Sequence, residues 1–248
     1  MGFVGMGAIA APQIQIVSGG GGGYPLKSME LRWVYKRKGN KNPDESNKLK
    51  PRILPIYIST KSSDTISKAQ ELRELFNACN HSCHRLPKMD KLGRIEDTVV
   101  DIHKLHIALS HSFVTVSVFC NPTQYLNFID TEKKVETLSV RNLFDNLVPV
   151  SVTPSNGKLV GFGRAVSDIG LTASIYDVMV IPSLRGMGIG RMIVKRIIRL
   201  LTSKDVYDIA AVCSENERLF FKACEFGDDI LGSTTMMYTR TVSTYSES

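Results

Sequence analysis

The sequence predicts a layered α+β fold in which helices flank a mixed central sheet. Segments with strand periodicity alternate with amphipathic helical segments from residue 54 onward. Their order of strands, a crossover helix, a strand, a helix and a strand favours layers around one sheet. With 248 residues, 43% of them hydrophobic and 22% charged, the composition fits one globular domain with an appendage, and it excludes a disordered chain or a fibre.

Residues 1–53 are expected to be disordered and to lie outside this domain. Up to Leu26 no side chain is charged, and five consecutive glycines occupy residues 19–23. The first acid is Glu30, and a basic cluster follows it at residues 36–41, as is typical of an acid-poor organelle transit segment. We therefore expect a transit segment here, with a plain disordered basic tail as the alternative.

The domain is expected to span residues 54–248. Its first half is predicted to contain a strand, two helices and a second strand, at residues 55–60, 66–79, 98–110 and 113–119. Three prolines and a Ser-Asn-Gly turn in residues 121–157 predict a long insertion after the second strand, with a short helix near residues 140–147.

The second half of the domain shows clearer patterns. Two neighbouring strands, an amphipathic helix, a short buried strand, another helix and a closing strand are predicted at residues 159–167, 172–181, 192–201, 208–213, 215–224 and 234–241.

Charge and cysteine content restrict the classes of function. The net charge of +7 comes almost entirely from residues 1–53, which carry nine basic and three acidic residues, against 22 and 21 in the rest. A nearly neutral domain does not imply nucleic-acid binding. The odd count of five cysteines favours a reducing compartment. The sequence contains no run of eighteen apolar residues, so it predicts no membrane-spanning helix.

The most informative segment is residues 177–191, in which a buried strand ends at Pro182 and a glycine-rich turn leads directly into a helix. Such a turn points successive backbone N–H groups at an anion, and the helix N-terminus adds a positive dipole end. Neither the Rossmann fingerprint nor the Walker A triplet fits this segment.

The pattern that remains is Gln/Arg-x-x-Gly-x-Gly/Ala, matched by Arg185, Gly188 and Gly190. In this motif the chain resembles the GNAT superfamily of acetyl-CoA-dependent N-acetyltransferases. Residues 158–168, 175–180 and 236–238 look like the plant plastid branch, which includes protein acetyltransferases and enzymes called serotonin N-acetyltransferases. The resemblance implies a mixed, mostly antiparallel central sheet flanked by helices, with acetyl-CoA as the co-substrate.

The resemblance also implies a set of cofactor-binding residues. The pyrophosphate would lie on the loop, and the pantetheine would pair like an extra strand with the strand before it. Ser214 and Phe221 occupy further positions that would meet the CoA moiety, and Arg191 at the helix start would meet a phosphate. The full set implied is Val178, Met179, Val180, Arg185, Gly186, Met187, Gly188, Ile189, Gly190, Arg191, Ser214 and Phe221.

For catalysis, the resemblance places the backbone N–H of Val178 or Met179 where it would polarise the acetyl carbonyl. Asp177 is the carboxylate best placed in sequence to deprotonate the amine, and a structural aspartate is the equal alternative. The family's Phe-Tyr pair, whose tyrosine protonates the departing thiolate, reads Phe220-Phe221 here. Its general acid is therefore missing.

No metal site is expected. Cys79, Cys83 and His84, with His103 and His106, resemble a metal cluster, but the cysteine spacing is unlike that of zinc sites and Cys79 lies on the apolar side of a helix.

The leading hypothesis is an acetyltransferase acting on protein lysine side chains or N-termini in the plastid stroma, with cytoplasm or nucleus as other locations. A small arylalkylamine (serotonin-type) acetyltransferase and a weakly catalytic acyl-CoA-binding protein are the alternatives. The expected partners are acetyl-CoA and protein or peptide amines, without nucleic acid, and the oligomeric state stays open.

Overall fold

The computed structural model describes residues 29–35, 53–81, 100–133 and 152–232. Within them, six strands form one sheet whose spatial order follows the chain. The strands are β1 Met29–Tyr35, β2 Ile53–Ser59, β3 Val114–Cys120, β4 Lys158–Ser167, β5 Thr172–Val180 and β6 Asp208–Ala211. The first five strands pair antiparallel, and β5 and β6 pair parallel. The predicted α+β fold with a mixed sheet is confirmed.

Six α-helices flank this sheet in the described ranges. They are α1 Ser62–Ile66, α2 Ala69–Ala78, α3 Ile102–Ser110, α4 Pro122–Lys133, α5 Ile189–Thr202 and α6 Glu215–Ala223. Helix α5 is the crossover between β5 and β6, because two parallel neighbours cannot be joined by a short hairpin. A short 3-10 helix, Pro182–Leu184, leads from β5 toward it.

The core has two parts, one on each face of the sheet. Helix α5 turns its buried side chains toward β3, β4 and β5, among them Ile189, Ile193 and Ile197. Helices α2 and α3 cover the opposite face, where Phe76 and Leu109 pack with Phe162 of β4. Each side chain of this size contributes about 1.5–3 kcal/mol when fully buried, so both layers hold the sheet in place.

The N-terminal boundary of the fold lies earlier than the sequence predicts. Residues 1–53 were expected to be disordered, but Met29–Tyr35 form strand β1 and pair with β2 from Met29 opposite Ser59 to Tyr35 opposite Ile53. Val34 of this strand is buried in the core. That expectation is therefore wrong for residues 29–35. Their sequence, MELRWVY, begins by alternating apolar and charged residues as a strand does, but it lies between a glycine-rich segment and a basic cluster that indicate a linker.

Two helical segments also differ from expectation. The single helix expected near residues 66–79 is divided into α1 and α2, and Thr65 at the end of α1 shares a 2.7 Å hydrogen bond with Ser117 of β3. Helix α4 occupies the start of the expected insertion, and Asn121 caps it by accepting hydrogen bonds from the N–H groups of Thr123 and Gln124.

Some predictions fall outside the described residues. They are the helix near residues 140–147, the closing strand at 234–241, Cys83 and His84. Across the described ranges, no helix has both the length and the apolar character that a membrane crossing requires.

Candidate active site

The sheet opens between β5 and β6. Pairing between these strands runs from Thr172 opposite Asp208 to Ile175 opposite Ala211, and the N–H of Val212 still donates to the Ile175 carbonyl. Strand β5 then continues to Val180, whereas the chain after β6 turns away into α6. Within the described ranges, the second half of β5 therefore presents a main-chain edge to which an extended ligand can add as a strand.

The glycine-rich loop lies at the end of this opening. Gly186 and Gly188 adopt φ values of 80° and 81°, and no atom lies within 4 Å of where a Cβ would stand on either of them. Both are thus required for their backbone conformation, and the space beside them is open. The loop leads into α5, whose first backbone hydrogen bond joins the Met192 N–H to the Gly188 carbonyl at 3.0 Å. The preceding N–H groups are available to an anion.

The other loop positions divide into buried and exposed ones. Met187 and Ile189 are buried in the α5 layer, so their side chains anchor the loop while their main chain lines it. A Cβ on Gly190 would meet the Phe220 ring at 3.1 Å, which indicates that this glycine allows α6 to pack against the start of α5. Arg191 is half exposed and its guanidinium lies 3.8 Å from Glu225.

The carbonyl of Val180 faces the opening. It accepts hydrogen bonds from Arg185 Nε at 3.2 Å and from the Cys79 thiol at 3.3 Å, while the next N–H, of Ile181, donates to Val160 of β4. Burial raises the pKa of Cys79, and Arg185 offsets part of this effect. The thiol is therefore protonated and acts as a donor at neutral pH, which fits neither a nucleophile nor a metal ligand.

A β-bulge interrupts β5 in the middle of this region. Met179 is opposite Phe162 and Tyr176 is opposite Arg164, so two residues of β5, Asp177 and Val178, face the single residue Gly163. Asp177 has a φ of 54°. A bulge of this kind breaks the regular ladder and redirects a backbone group, so the main chain at Val178 is released from regular pairing with β4.

The carboxylate of Asp177 is the centre of a buried polar cluster. Its Oδ2 accepts from Arg164 Nε at 2.5 Å, and its Oδ1 accepts from His81 Nε2 at 3.1 Å. The side chain is only 8% exposed. Burial alone would raise the pKa of Asp177, but the hydrogen bond from His81 and the charge and hydrogen bond of Arg164 outweigh it and hold the pKa below its ordinary value.

His81 reaches this carboxylate because of how α2 ends. Asn80 turns the chain with a φ of 50°, its N–H donates to Asn77, and the N–H of His81 donates back to the Phe76 carbonyl at 3.0 Å. These are the two bonds of a Schellman motif. The imidazole packs on the Phe76 ring with centroids 5.6 Å apart, and 22% of its side chain remains exposed.

The first turn of α6 lies on the other side of His81. Glu217 Oε2 accepts hydrogen bonds from both the N–H and the hydroxyl of Ser214, each at 2.8 Å, so Ser214 caps the helix. Glu217 Oε1 lies 4.0 Å from His81 Nδ1. We call Arg164, Asp177, His81 and Glu217 the Asp177 cluster.

Phe221, at the position where the resemblance expects a tyrosine, belongs to the core. It is 6% exposed, and its ring makes edge contacts with Phe220 and Phe226 at centroid distances of 5.1 and 5.5 Å. The phenyl ring of Phe221 has no hydroxyl and therefore cannot donate a proton.

The structure therefore brings together most of the residues singled out from the sequence. Residues 177–180 form the end of β5, the loop follows it, and Phe220 lies against Gly190. Ser214 is engaged with Glu217, and Arg191 lies at the start of α5 with half of its side chain exposed. Across the residues the structure describes, no group of three His, Cys, Asp or Glu side chains has the arrangement of a metal site.

Three members of the Asp177 cluster have no signal in the sequence that identifies them as site residues. Asn80 directly before His81 is a recognisable helix-ending signal, but nothing local indicates that His81 meets a residue 96 positions later. Arg164 is one of several polar residues in its strand, and Glu217 reads as an ordinary capping residue.

The chain is similar to known acetyltransferases over most of its length. The model of the acetyltransferase (GNAT) family matches residues 122–226. The chain is 51% identical over 236 residues to "GCN5-related N-acetyltransferase 3, chloroplastic" of Arabidopsis thaliana, an overlap that covers 88% of this chain and 94% of that protein.

Two shorter matches carry names that mention substrates. "Histone acetyltransferase TAP1" of Glycine max is 31% identical over 81 residues, which cover 33% of this chain and 33% of that protein. "Serotonin N-acetyltransferase 2, chloroplastic" of Oryza sativa subsp. japonica is 34% identical over 79 residues, which cover 32% of this chain and 40% of that protein.

Proposed function

The chain belongs to the acetyltransferase (GNAT) family, and we propose that it transfers the acetyl group of acetyl-CoA to protein amines, at lysine side chains or N-termini, in the plastid. Enzymes of this family are N-acetyltransferases that use acetyl-CoA as the donor. The protein substrate and the location go beyond the family and are the proposal.

The observation that supports acetyltransferase activity is that the open β5 edge leads directly into the glycine loop. Among the described residues, no strand pairs with the outer edge of β5 beyond Ile175, and the loop at residues 185–190 with the N-terminus of α5 follows directly. An extended chain ending in a pyrophosphate needs this combination, because its amides pair with a strand while its phosphates meet N–H groups. The open space beside Gly186 and Gly188 fits such a ligand.

The bulge in β5 supports Val178 as the residue whose N–H stabilises the oxyanion. Met179 has a partner across the sheet in Phe162, whereas Val178 lies in the bulge opposite Gly163. A fixed main-chain donor in a partly buried site is worth about 2.7–4 kcal/mol of transition-state stabilisation in comparable enzymes. No particular side chain is needed at position 178 for this role.

The reaction also needs a protonation path for the leaving thiolate. Phe221 offers none, but a thiol has an ordinary pKa of about 8.5, so the thiolate is a tolerable leaving group at neutral pH. The absence of a tyrosine hydroxyl at this position is expected to slow turnover rather than to abolish it.

A second candidate function is acetylation of a small arylalkylamine. The similarity to a protein named serotonin N-acetyltransferase favours it, as the similarity to a protein named histone acetyltransferase favours protein lysines. Both substrates present an ammonium group on a flexible chain, so the chemistry at the opening is the same for both.

The plastid location is supported by two independent features. The N-terminal region is basic and poor in acids. The Arabidopsis relative, 94% of whose length aligns with this chain, is named chloroplastic. Import of the full chain into isolated chloroplasts, followed by protease treatment, tests the location. Complete digestion of the chain would contradict it.

The function is tested with the full chain in two steps. Isothermal titration with acetyl-CoA is expected to show saturable one-site binding. Mass spectrometry of a mixture of lysine-containing peptides, peptides with free N-termini and serotonin is then expected to show acetylated peptides.

Each outcome has a distinct meaning. Acetylated serotonin without acetylated peptide supports the small-amine candidate, and binding without any acetylated product supports a weakly catalytic acyl-CoA-binding protein. A wild-type chain that binds no acetyl-CoA contradicts the proposed function.

A further inference from the structure

We propose that His81 is the catalytic base for the amine, that its Nδ1 and the carboxylate of Glu217 together bind the substrate ammonium group, and that Asp177 and Arg164 position the imidazole. This proposal rests on the proposed function and identifies the side chains of the same site that recognise and deprotonate the amine.

His81 lies where the sheet is open. It follows α2, whose Phe76 packs on the face of the sheet that contains Phe162. Glu217 belongs to α6, whose Phe221 packs in the layer of α5 on the opposite face. Paired strands form a continuous barrier between two such faces. The approach of His81 and Glu217 to 4.0 Å therefore places them at the gap between β5 and β6, beside the bulge with Val178.

The contacts of His81 determine which ring nitrogen is available. The carboxylate of Asp177 only accepts hydrogen bonds and already accepts one from Arg164, so Nε2 must carry the proton in the 3.1 Å contact. In the neutral imidazole, Nδ1 then has the free lone pair. The base is thus held in the tautomer that directs its acceptor away from the core and toward Glu217.

The space between Nδ1 and Glu217 fits a donor with a positive charge. The two atoms are 4.0 Å apart, which is too far for a direct hydrogen bond, and a lone pair and a carboxylate oxygen both need a donor. An ammonium group carries three donors and no acceptor, so one nitrogen can donate to both atoms. Both side chains are also accessible, with 22% and 35% of their surfaces exposed.

Asp177 itself is poorly placed to take the proton. Its two oxygens are occupied by His81 and Arg164, its side chain is 8% exposed, and its pKa is held below the ordinary value. A strong ion pair makes it a weak base but a firm anchor. It acts through His81, and Arg164 acts through Asp177.

The substrate nitrogen loses two protons during the transfer. The substrate ammonium gives one proton to Nδ1 of His81, and the nitrogen lone pair that this releases forms the new C–N bond to the acetyl carbon. The C–S bond breaks, and the thiolate takes the second proton of the former amine nitrogen. The imidazolium then returns its proton to water.

The test compares His81→Gln with His106→Gln in the full chain, because His106 is an exposed histidine of α3. With the lysine peptide and serotonin assayed in parallel, His81→Gln is expected to lower kcat/KM at pH 7 by about 100-fold or more, as loss of a general base does. The deficit should shrink as the pH rises toward the pKa of the amine, whereas His106→Gln should follow the wild-type profile throughout.

Two further variants separate a base from a structural histidine. Added imidazole is expected to restore activity to His81→Ala in a concentration-dependent manner, because the cavity left between Asp177 and Glu217 accepts it. Glu217→Gln should raise KM for the amine more than it lowers kcat, since glutamine preserves the cap of α6 but removes the charge that attracts the ammonium.

The outcomes also separate this assignment from the proposed function. An active enzyme in which His81→Gln keeps the wild-type rate and pH profile overturns the assignment of His81 alone. An active enzyme whose His81→Ala variant loses activity without any response to imidazole overturns it as well. A wild-type chain that neither binds acetyl-CoA nor acetylates either amine overturns the proposed function and this assignment together.

Discussion

The glycine loop and the Asp177 cluster lie at the same opening of the sheet but are built in opposite ways. The loop is a run of six consecutive residues, 185–190, that acts through its main chain. The Asp177 cluster takes one side chain from each of four separate segments, and its central hydrogen bond joins residues 96 positions apart. Local sequence encodes the first directly, whereas only the tertiary fold assembles the second.

The two regions should therefore respond differently to substitution. In the loop, the backbone conformation and open space are essential, and most side chains are of secondary importance. In the Asp177 cluster, the charges and hydrogen bonds of the side chains are essential, and the backbone only needs to hold these side chains in position. The contrast is tested most strongly by adding a side chain to the loop and by altering the Asp177 cluster or the backbone that places it.

The largest effect is expected for Gly188→Glu. The residue would have to hold a φ of 81°, which costs a non-glycine residue about 1–2 kcal/mol, and it would add a carboxylate beside the expected phosphate position. Acetyl-CoA affinity should fall more than about 100-fold, which corresponds to about 2.7 kcal/mol. Isothermal titration measures this change.

The matched control is Gly170→Glu. This glycine lies in the exposed turn between β4 and β5, has open space around it and has no positive φ, so the same charge is added far from the loop. Affinity within a few fold of wild type is expected for it. Equal losses in both variants would show that net charge, and not the loop, governs binding.

The next effect concerns Gly163, which lies opposite the bulge. A Cβ there would stand 2.5 Å from Cγ2 of Ile193, a fully buried β-branched residue of α5. Such overpacking costs about 1–3 kcal/mol. Gly163→Ala should lower the free energy of unfolding by this amount, measured by urea denaturation, and should reduce turnover more than acetyl-CoA affinity because the bulge carries Asp177 and Val178.

Gly161→Ala is the control on the same strand. Its Cβ would lie 3.2 Å from Cδ1 of Ile193, 3.3 Å from Cγ2 of Ile189 and 3.4 Å from Cβ of Val118. None of these contacts is as close as the 2.5 Å one at Gly163, so a smaller loss of stability is expected. A turnover rate in Gly163→Ala that equals that of Gly161→Ala would show that catalysis does not depend on the shape of the bulge.

The smallest effect is the acid dependence of stability that Asp177 contributes. Because its pKa in the folded state is lowered, the carboxylate stabilises the fold above its unfolded pKa of about 3.9, and this contribution is lost as the pH falls through the folded value. The difference in unfolding free energy between wild type and Asp177→Asn should therefore decrease as the pH falls from about 5 toward about 3.

Gly186→Ala serves as the comparison from the loop. It adds no titrating group, so its difference from wild type should be independent of pH. A difference for Asp177→Asn that is equally independent of pH would show that the carboxylate is not held in the ion pair with Arg164.

Much of the fold was predictable from residue patterns because the patterns reflect packing. Alternation in β3 and β4 and the apolar spacing of α5 predicted those elements to within a few residues. The break between α1 and α2 was not predictable, because the hydroxyl contact between Thr65 and Ser117 that accompanies it is made across 52 residues.

The candidate site shows the same division. The glycines of the loop can be recognised because they are required by local φ values. The resemblance also drew attention to Asp177, as the carboxylate best placed in sequence to deprotonate the amine. Its hydrogen bonds with Arg164 and His81, however, depend on the register of β4 against β5 and on how α2 ends. Neither is visible in a pattern of adjacent residues.

Strand β1 restricts how the proposed plastid import can process the chain. All seven of its residues pair with β2, and β2 contributes the buried Leu54, Ile56 and Ile58 to the core. Cleavage near residue 53 would remove β1 and leave β2 as a bare edge, which is a template for aggregation. We therefore expect a processing protease that leaves the sheet intact to cut before Met29, and N-terminal sequencing of the imported protein would locate that cut.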